Sequence, residues 1–409
     1  MSDTSDLSAL LPITNTQTPI PMNLTILVSD LIAARKLLTR IHFERLTLPV
    51  LSHVLATVDA AGLTLAVTDL DHWLETRIQA VIDPFAPGRF LIPADALKAA
   101  ARGDKRSHAH FVFTDTAEGP TLTLTVPCGG MNVVSVHKPE PAAEYPERPT
   151  VKGKVTAVPK ETFAALSIVA GCASTDETRY VLNGVLFTPD DNGLLIATDG
   201  RRLAAAPVRF TGQKFILPNP AAHVLVHPDF ATRDATIRQS EDGKSPYAEF
   251  RSGPHTLIAR EIEGSYPNYR QVVPTEFLAE ATIPETHRAA LIAWLRSLTG
   301  QRLSVRFNWG RPGPLTLTCV DNEGKSATIQ VPVTVQGMPP VIAFEPLFLA
   351  SVLEIGPTLH FIDGMSPLVA SGPGGVFCVL MPMRCTVEAA PQQVGPTGNT
   401  TTPPQAVAA

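Results

Sequence analysis

One pattern recurs three times along the 409-residue chain and limits the folds that the chain can adopt. An apolar run enters an Asp-containing turn and a second apolar run leaves it, in "GLTLAVTDLDHWLETRI", "GLLIATDGRRLAAAPV" and "GPLTLTCVDNEGKSATIQV". This pattern is typical of β-hairpins. The turn residues Asp69, Asp199 and Asp321 are 130 and 122 residues apart, which indicates an internal repeat.

Helical patterns accompany each hairpin in the same order. One precedes it, at 30–45, 159–173 and 285–299. After it come a short apolar strand, a proline near a helix start and a second apolar segment, in "RFLIPADALKAAARG", "KFILPNPAAHVLVHP" and "VIAFEPLFLASVLEIG". The chain is therefore predicted to be an α+β protein with three copies of one unit of roughly 120 residues.

Composition places the boundaries between these copies. The proline-rich stretch 138–150 predicts a linker, and the polar or low-complexity ends predict disordered tails. The predicted divisions are an N-terminal extension 1–21, repeated domains 22–147, 148–274 and 275–388, and a C-terminal tail 389–409.

Charge and cysteine content exclude some classes of protein. A formal net charge of −5 argues mildly against global attraction to nucleic acid, although it allows a local basic face. We find no signal-peptide pattern and no apolar run near the roughly 18 residues of a membrane helix. Five scattered cysteines without a CxxC pair fit reduced thiols in a cytoplasmic protein, so a cytoplasmic location is expected.

No motif establishes a reaction. "EDGKSP" and "NEGKSA" lack the earlier glycine of a phosphate loop, since Arg238 and Cys319 occupy that position, and we interpret both as hairpin turns. Asp69 and Asp71 have no further metal ligands nearby in sequence. Asp199 beside Arg201 and Arg202 is compatible with an acid/base site, a phosphate clamp or a simple turn. An enzyme using Asp199 and Arg202 in a cleft is therefore one hypothesis, which predicts turnover that Asp199→Ala abolishes.

The pattern at 30–45 has two faces. The apolar stripe consists of Leu31, Ala34, Leu38 and Ile41. Opposite lie Lys36 and Arg40, and Arg45 closes the segment. Such charges usually form a solvated surface; the alternative is a basic face that contacts a polyanion.

Several segments in series resemble the bacterial DNA sliding clamp, the β processivity subunit of the replicative DNA polymerase III holoenzyme. They are "LTLPVLSHVLA" (46–56), "RYVLNGVLF" (179–187), "ATDGRRLA" (197–204), "EIEGSYPNYRQVVP" (261–274) and "VLMPMRC" (379–385). The resemblance covers roughly 22–387. It implies three clamp-type domains, each with two helices on small antiparallel sheets. Two chains would close head to tail as a homodimeric ring, joining the strand near 130–137 of one chain to that near 326–337 of the other.

The resemblance also implies two binding functions. Sequence-independent contacts with encircled double-stranded DNA would come from Arg45, Arg102 and Arg179, to which the helical pattern adds Lys36 and Arg40. Replicative polymerase, clamp loader and repair proteins would insert short peptides into a groove between the second and third domains. The groove residues would be Leu182, Thr198, Gly200, Arg201, Arg202, Leu203, Pro267, Val272, Val379, Met381, Pro382 and Met383.

Some positions depart from the family pattern. Arg201 stands where His is usual, Gln271 where Arg is frequent, and Cys385 in place of a final Leu. The expected function is a DNA sliding clamp without catalytic activity, cofactor, metal or membrane association. The alternative is a specialised or decoy clamp homologue that sequesters clamp-binding partners.

Overall fold

The structure, a computed structural model, describes most of the chain. The described residues are 21–41, 48–83, 87–116, 119–240, 245–298, 300, 303–310, 313–320 and 325–384. Arg45, Asp321, Cys385, the tail 389–409 and, except for Pro21, the extension 1–21 lie outside them. Within the described residues, no helix combines the length and the apolarity needed to cross a membrane.

The chain divides into two compact units. Unit 1 comprises Met1–Val273 and Ala370–Val379, and unit 2 comprises Pro274–Val369 and Leu380–Ala409. The division at Val273 lies one residue from the predicted boundary after residue 274. The predicted boundary at 147/148 falls inside unit 1, so the three-domain organisation stays a prediction.

The first two repeats share the order strand, helix, four strands, helix and three strands, with one short extra strand in the first and one short extra helix in the second. The first contains β1 Met22–Leu27, α1 Val28–Leu38, β2 His53–Asp59, β3 Gly62–Thr68, β4 His72–Ile78, β5 Val81–Asp83, β6 Gly88–Pro93, α2 Ala94–Ala100, β7 His108–Thr116, β8 Gly119–Cys128 and β9 Met131–His137. The second contains β10 Lys154–Val158, α3 Lys160–Ala170, β11 Gly184–Thr188, β12 Leu194–Thr198, β13 Arg202–Pro207, β14 Phe215–Pro218, α4 Asn219–Leu225, α5 Pro228–Ala231, β15 Ala235–Gln239, β16 Tyr247–Ser252 and β17 His255–Arg260.

The third repeat follows the same plan. Its elements are β18 Ala279–Thr282, α6 Glu285–Ser297, β19 Val305–Trp309, β20 Leu315–Val320, β21 Ser326–Val331, β22 Thr334–Gly337, β23 Ile342–Phe344, α7 Pro346–Ile355, β24 Thr358–Phe361, β25 Leu368–Ser371 and β26 Phe377–Leu380. The predicted order of helix, hairpin, strand and helix is thus confirmed in the three repeats, as is the α+β class.

Antiparallel sheets organise each unit. Unit 1 contains the sheets β5-β1-β7-β8-β9 and β10-β15-β16-β17-β4-β3-β2-β6, together with the run β14-β11-β12-β13-β26. In the eight-stranded sheet β17 pairs with β4, from His255 opposite Thr76 to Ala259 opposite His72, so the first two repeats share one hydrogen-bonded sheet. Unit 2 contains the sheet β21-β20-β19-β23 and the run β24-β18-β22.

The helices bury the apolar stripes that the sequence predicts. Leu31, Ala34, Leu38 and Ile41 are all at most 4% exposed. Helix α1 nevertheless ends at Leu38, so the predicted continuation toward 45 is wrong for the described residues 39–41. The Thr39 hydroxyl donates to the Arg35 carbonyl at 2.9 Å and the Arg40 amide bonds to the Leu37 carbonyl, which tightens and closes the last turn.

The proline-rich stretch 138–150 joins β9 to β10 as a packed segment. Tyr145 is 2% exposed and meets Trp73 edge-on, with 6.0 Å between ring centroids. Arg148 donates to Glu75 of the first repeat and to Glu249 of the second, both at 3.0 Å. The predicted linker is therefore bound to the core and to both repeats that it connects.

Candidate functional site

The turn between β12 and β13 is organised by Asp199. One carboxylate oxygen, Oδ1, accepts the backbone N–H groups of Arg201 and Arg202, each at 2.9 Å. The other, Oδ2, accepts Arg202 Nε at 3.0 Å. The prediction of a hairpin turn is confirmed, and a carboxylate engaged by these donors acts as a turn cap rather than as a general base.

Arg202 connects this turn to the end of a helix. Its side chain is 15% exposed, and its Nη2 donates to the Gly171 carbonyl, just after α3, at 2.7 Å. The Thr198 hydroxyl donates to the Arg202 carbonyl at 2.7 Å and accepts the Gly200 amide at 3.1 Å. The turn and the helix end therefore form one rigid surface, with the exposed Arg201 beside it.

Arg179 lies against the same turn. It belongs to a 3-10 segment, Glu177–Leu182, and is 53% exposed at its side chain. Its Nη1 donates to the Asp199 carbonyl at 3.2 Å, and its Nε lies 3.5 Å from the Asp176 carboxylate. A residue predicted to contact DNA is thus placed next to residues predicted to hold partner peptides.

The other predicted groove residues of unit 1 differ in exposure. Leu203 and Val379 are buried, Leu182 is half-buried, and Pro267 and Val272 are exposed. Tyr266, which carries no sequence signal, is half-buried with its hydroxyl shielded from water close to Thr198, and burial raises the pKa of that hydroxyl. Leu203 and Val379 thus supply buried apolar side chains, whereas Pro267 and Val272 supply exposed ones.

Met381, Pro382 and Met383 belong to unit 2. The Met383 amide donates to the Ala343 carbonyl of β23 at 2.8 Å, which fixes the backbone there. Met381 is 45% exposed, and Pro382 and Met383 are half-buried. Flexible, polarisable side chains at this position suit contacts with varied apolar groups.

Basic residues predicted to contact DNA lie on the helices of unit 1. Lys36 and Arg40 are exposed on and just after α1, and Arg102 is exposed just after α2. Burial lowers the pKa of His227 at the start of α5; Asp229 opposes this, and the charges of Arg40 and Lys36 lower it further. Lys36 and Arg40 therefore lie near His227, a residue without a sequence signal because they are 191 and 187 positions away in the chain.

Two sheet-edge strands carry unusual surfaces. Strand β9 ends its sheet and exposes Met131, Val133, Val134 and Val136, each more than half exposed. Strand β21 ends a sheet in unit 2 and alternates exposed with half-buried residues from Ser326 to Gln330. The predicted boundary strand near 326–337 consists of β21 and of β22, which pairs with β18. Apolar edge strands favour pairing with another chain.

The described ranges contain no metal-ligand cluster. Within them, no group of three or more His, Cys, Asp or Glu residues is arranged to hold a metal ion. Asp69 instead binds His72 Nδ1 at 2.9 Å, and Asp71 lies 3.7 Å from Arg260.

Known proteins are similar to this chain along most of its length. No protein-family model matches it. It is 26% identical over 387 residues to the "Beta sliding clamp" of Caulobacter vibrioides, covering 89% of this chain and 100% of that protein. It is also 25% identical over 334 residues to the "Beta sliding clamp homolog GriR" of Streptomyces muensis, covering 80% of this chain and 83% of that protein.

A solved structure gives the same result. The β sliding clamp of C. crescentus, with polyethylene glycol bound to a putative β-motif tethering region, superposes with a TM-score of 0.76 at 25% identity. The match covers 89% of this chain and 99% of that one. The chain is therefore a homologue of the bacterial β sliding clamps, the β subunits of DNA polymerase III, and has their fold.

Proposed function

We propose that this protein is a DNA sliding clamp, a non-catalytic cytoplasmic processivity factor that encircles duplex DNA and tethers a replicative polymerase. The observation that carries the proposal is the full-length match to β sliding clamps, which spans 100% of the Caulobacter vibrioides protein. The organisation into three clamp domains, 22–147, 148–274 and 275–388, belongs to the same proposal.

Closure as a head-to-tail homodimer is supported by the two edge strands. Pairing β9 of one chain with β21 of another would remove an apolar edge that otherwise exposes Val133, Val134 and Val136 to water. It would also continue a sheet across the boundary between chains, so that backbone hydrogen bonds fix the register.

A protein that stays on DNA by encircling it does not need a high positive net charge. A ring that surrounds DNA needs only weak, sequence-blind phosphate contacts, for which Lys36, Arg40, Arg45, Arg102 and Arg179 are the proposed residues. A formal net charge of −5 is compatible with this task, because the positive charge needed is local.

The decisive experiment combines mass in solution with retention on DNA. We expect a mass of twice the 43.8 kDa chain. After loading by a bacterial clamp loader, the protein should stay on closed circular DNA and leave within minutes once the circle is cut. Equal retention on circular and linear DNA would disprove encirclement.

A charged substitution on the edge strand β9 tests whether two chains close into a dimer there. Val134→Asp, on β9, should convert the dimer to monomer, because it buries a carboxylate in the proposed boundary. Val155→Asp is the matched control: Val155 is 46% exposed on β10, another sheet-edge strand, outside the proposed boundary. Dimers of equal strength in both variants would exclude β9 from the interface.

Partner docking is the second part of the proposal. Thr198, Gly200, Arg201, Arg202 and Leu203 offer a rigid turn with an apolar floor, which suits a short peptide with leucine or phenylalanine anchors. Leu182, Pro267, Val272, Val379, Met381, Pro382 and Met383 are proposed for the same role.

Met383→Asp tests the docking residues. We expect it to abolish binding of an N-acetylated hexapeptide ending in Leu-Phe and to leave the dimer intact, because it places a charge at an apolar contact. The control Met365→Asp changes a methionine of unit 2 that is already 80% exposed, and should bind the peptide normally. Unchanged affinity of Met383→Asp would remove Met383 from the docking set.

The GriR match favours a second candidate, a specialised clamp homologue that sequesters clamp-binding partners. Arg201 and Gln271, where the clamp family usually has His and Arg, fit an altered peptide preference. The discriminating measurement is loading: a replicative clamp is placed on primed circular DNA by a clamp loader, whereas a decoy binds partner peptides but is not loaded.

A further inference from the structure

The first repeat concentrates exposed positive charge on and just after its two helices. Helix α1 and the segment just after it carry Lys36 and Arg40, α2 carries Lys98, and the turn after α2 carries the rest. We name these six exposed side chains the cationic face: Lys36, Arg40, Lys98, Arg102, Lys105 and Arg106.

Backbone contacts hold the parts of the cationic face together. Helix α1 packs against α2. The Ser29 amide, in the first turn of α1, donates to the Lys105 carbonyl at 3.3 Å, and the Val28 amide donates to the Ser107 carbonyl at 3.0 Å. The turn after α2 is therefore fixed against the start of α1, and its cations belong to the same surface as those of the helices.

The acidic residues of this region are engaged with other groups. Asp95 Oδ1 accepts the Ala96 amide at 2.8 Å and lies 3.8 Å from His137 Nδ1. The Asp104 carboxylate accepts the Gly129 amide at 3.1 Å. Among the residues whose positions the structure gives, none of the cationic face forms an ion pair. Its positive charge is therefore available to an anion from outside the chain.

The helical arginines of the third repeat are bound within the chain instead. Arg288 of α6 donates through Nη2 to the Glu285 carboxylate at 2.7 Å and through Nη1 to the Leu353 carbonyl of α7 at 2.9 Å. Arg296 of α6 pairs with Glu354 of α7. A phosphate would have to displace these carboxylates before it could bind either guanidinium, so this surface attracts a polyanion weakly.

The helices of the second repeat add almost no positive charge. The one lysine or arginine in α3, α4 and α5 is Lys160, and Glu161 follows it directly. Of the helices in the three repeats, those of the first are thus the ones with exposed cations that outnumber and avoid their acidic neighbours.

We propose that the cationic face of the first repeat carries the phosphate contacts to duplex DNA, and that the helices of the third repeat make none. This inference rests on the proposed function and adds Lys98, Lys105 and Arg106 to the DNA-contacting residues. Each neutralised phosphate releases counterions, and an exposed, unpaired cation achieves this without first breaking an ion pair. A homodimer would carry two such faces, so that the duplex is bound at two places on the ring and not evenly by every repeat.

Binding of a short fluorescent duplex to the free full-length protein, measured by anisotropy over a series of salt concentrations, tests the proposal. We expect Lys98→Gln combined with Lys105→Gln to weaken binding about ten-fold or more, and to reduce the slope of log affinity against log salt by about 1.8. The matched control is Lys152→Gln combined with Lys154→Gln, which removes the same charge from exposed positions at the start of β10. Equal losses in the two variants would show an effect of net charge alone and would overturn the proposal.

The third repeat is tested by removing an ion pair as a unit. Arg296→Gln combined with Glu354→Gln keeps the net charge and should leave the affinity and the salt slope unchanged. A loss as large as that of the Lys98 and Lys105 variant would overturn the proposal, as would a lack of salt-dependent binding by the unsubstituted protein.

Retention of the unsubstituted protein on closed circular DNA is a separate measurement. Its failure would count against encirclement and hence against the proposed function. The duplex-binding series is read on protein that has not been loaded, so it decides whether the cationic face contacts phosphates in either case.

Discussion

The hairpin turns of the first two repeats have the same hydrogen bonds but different uses. In the β3–β4 turn, the Asp69 carboxylate accepts the amides of Asp71 and His72 at 3.1 and 2.7 Å, as Asp199 does for the two arginines of the β12–β13 turn. The Thr68 hydroxyl likewise bonds the His72 carbonyl at 2.7 Å, matching Thr198. Thr-Asp is therefore a shared turn scaffold.

The difference lies in the residue that closes the turn. His72 bonds back to Asp69, whereas Arg202 bonds to Asp199 and also reaches the end of α3. The backbone angle φ is +83° at Leu70 and +84° at Gly200, although only glycine adopts this region without strain. The second turn is therefore specialised by its side chains and not by its backbone.

The largest expected effect comes from removing the carboxylates. Asp199→Ala should destabilise unit 1 by about 3 kcal/mol, because it frees two backbone amides and leaves the Arg202 guanidinium without its anion. Asp69→Ala should cost less, about 2 kcal/mol, since it frees two backbone amides but leaves no guanidinium without its anion. Urea unfolding followed by circular dichroism measures both. A larger loss for Asp69→Ala would contradict the proposed specialisation.

Exchanging the residues with positive φ should give effects of opposite sign. Gly200→Ala should destabilise by about 1–2 kcal/mol, through backbone strain and through a Cβ only 2.8 Å from Arg179 Nη1. Leu70→Gly should be neutral or stabilise by up to about 1 kcal/mol, because it relieves strain and removes an exposed leucine. Thermal unfolding of the two variants checks the signs, and two losses of equal size would refute the common-scaffold reading.

The Arg202→Lys variant tests the contact between the Arg202 side chain and the end of α3. Lysine keeps the charge but lacks the planar fork that contacts both Asp199 and Gly171, so we expect a loss of about 1 kcal/mol and weaker hexapeptide binding. Arg260→Lys is the control, since Arg260 forms longer contacts, each 3.7 Å, with Asp71 and Glu263. Equal losses in the two variants would show that the fork of Arg202 has no special part.

The smallest expected effect is a pH dependence of the first turn. Burial would raise the pKa of Asp69, but the hydrogen bond and charge of His72 and the two backbone amides outweigh it and lower that pKa below its usual 3.8. Its contribution is therefore present above pH 3.8 and is lost as pH falls through the lower, folded value. In Asp69→Asn, the free energy of unfolding should fall less steeply below pH 4 than in the unsubstituted protein. The difference should be less than about 1 kcal/mol, because solvent screens part of the interaction. If the free energy of unfolding fell below pH 4 as steeply in Asp69→Asn as in the unsubstituted protein, this contribution would be ruled out.

Local patterns made the repeat order and the turns predictable. Alternating apolar residues, Thr-Asp turns and a proline at a helix start act within a few residues, so "TDLDH" and "TDGRR" could be recognised from sequence as hairpins. The end of α1 at Leu38 was missed because Thr39 and Arg40 also fit a helical period. After Thr39 the amides of Arg40 and Ile41 bond to carbonyls three residues back instead of four, a tightening of the last turn that periodicity does not register.

Long-range contacts could not be predicted in this way. Nothing in sequence pairs Arg202 with Gly171 or Arg179 with Asp199, since each contact depends on how separate elements pack. Arg148 shows the same limit: a proline-rich stretch predicts a linker, but its ion pairs with Glu75 and Glu249 follow from the shared sheet.

That shared sheet has a mechanical consequence for the proposed ring. A ring that must open to admit DNA separates where the fewest bonds have to break together. Between the first two repeats, the β17–β4 ladder, the Tyr145–Trp73 packing and the Arg148 ion pairs would all have to yield at once. In the proposed ring, the load of opening would therefore pass through this junction without parting it, and the proposed β9–β21 boundary between chains would be a place for it to fall.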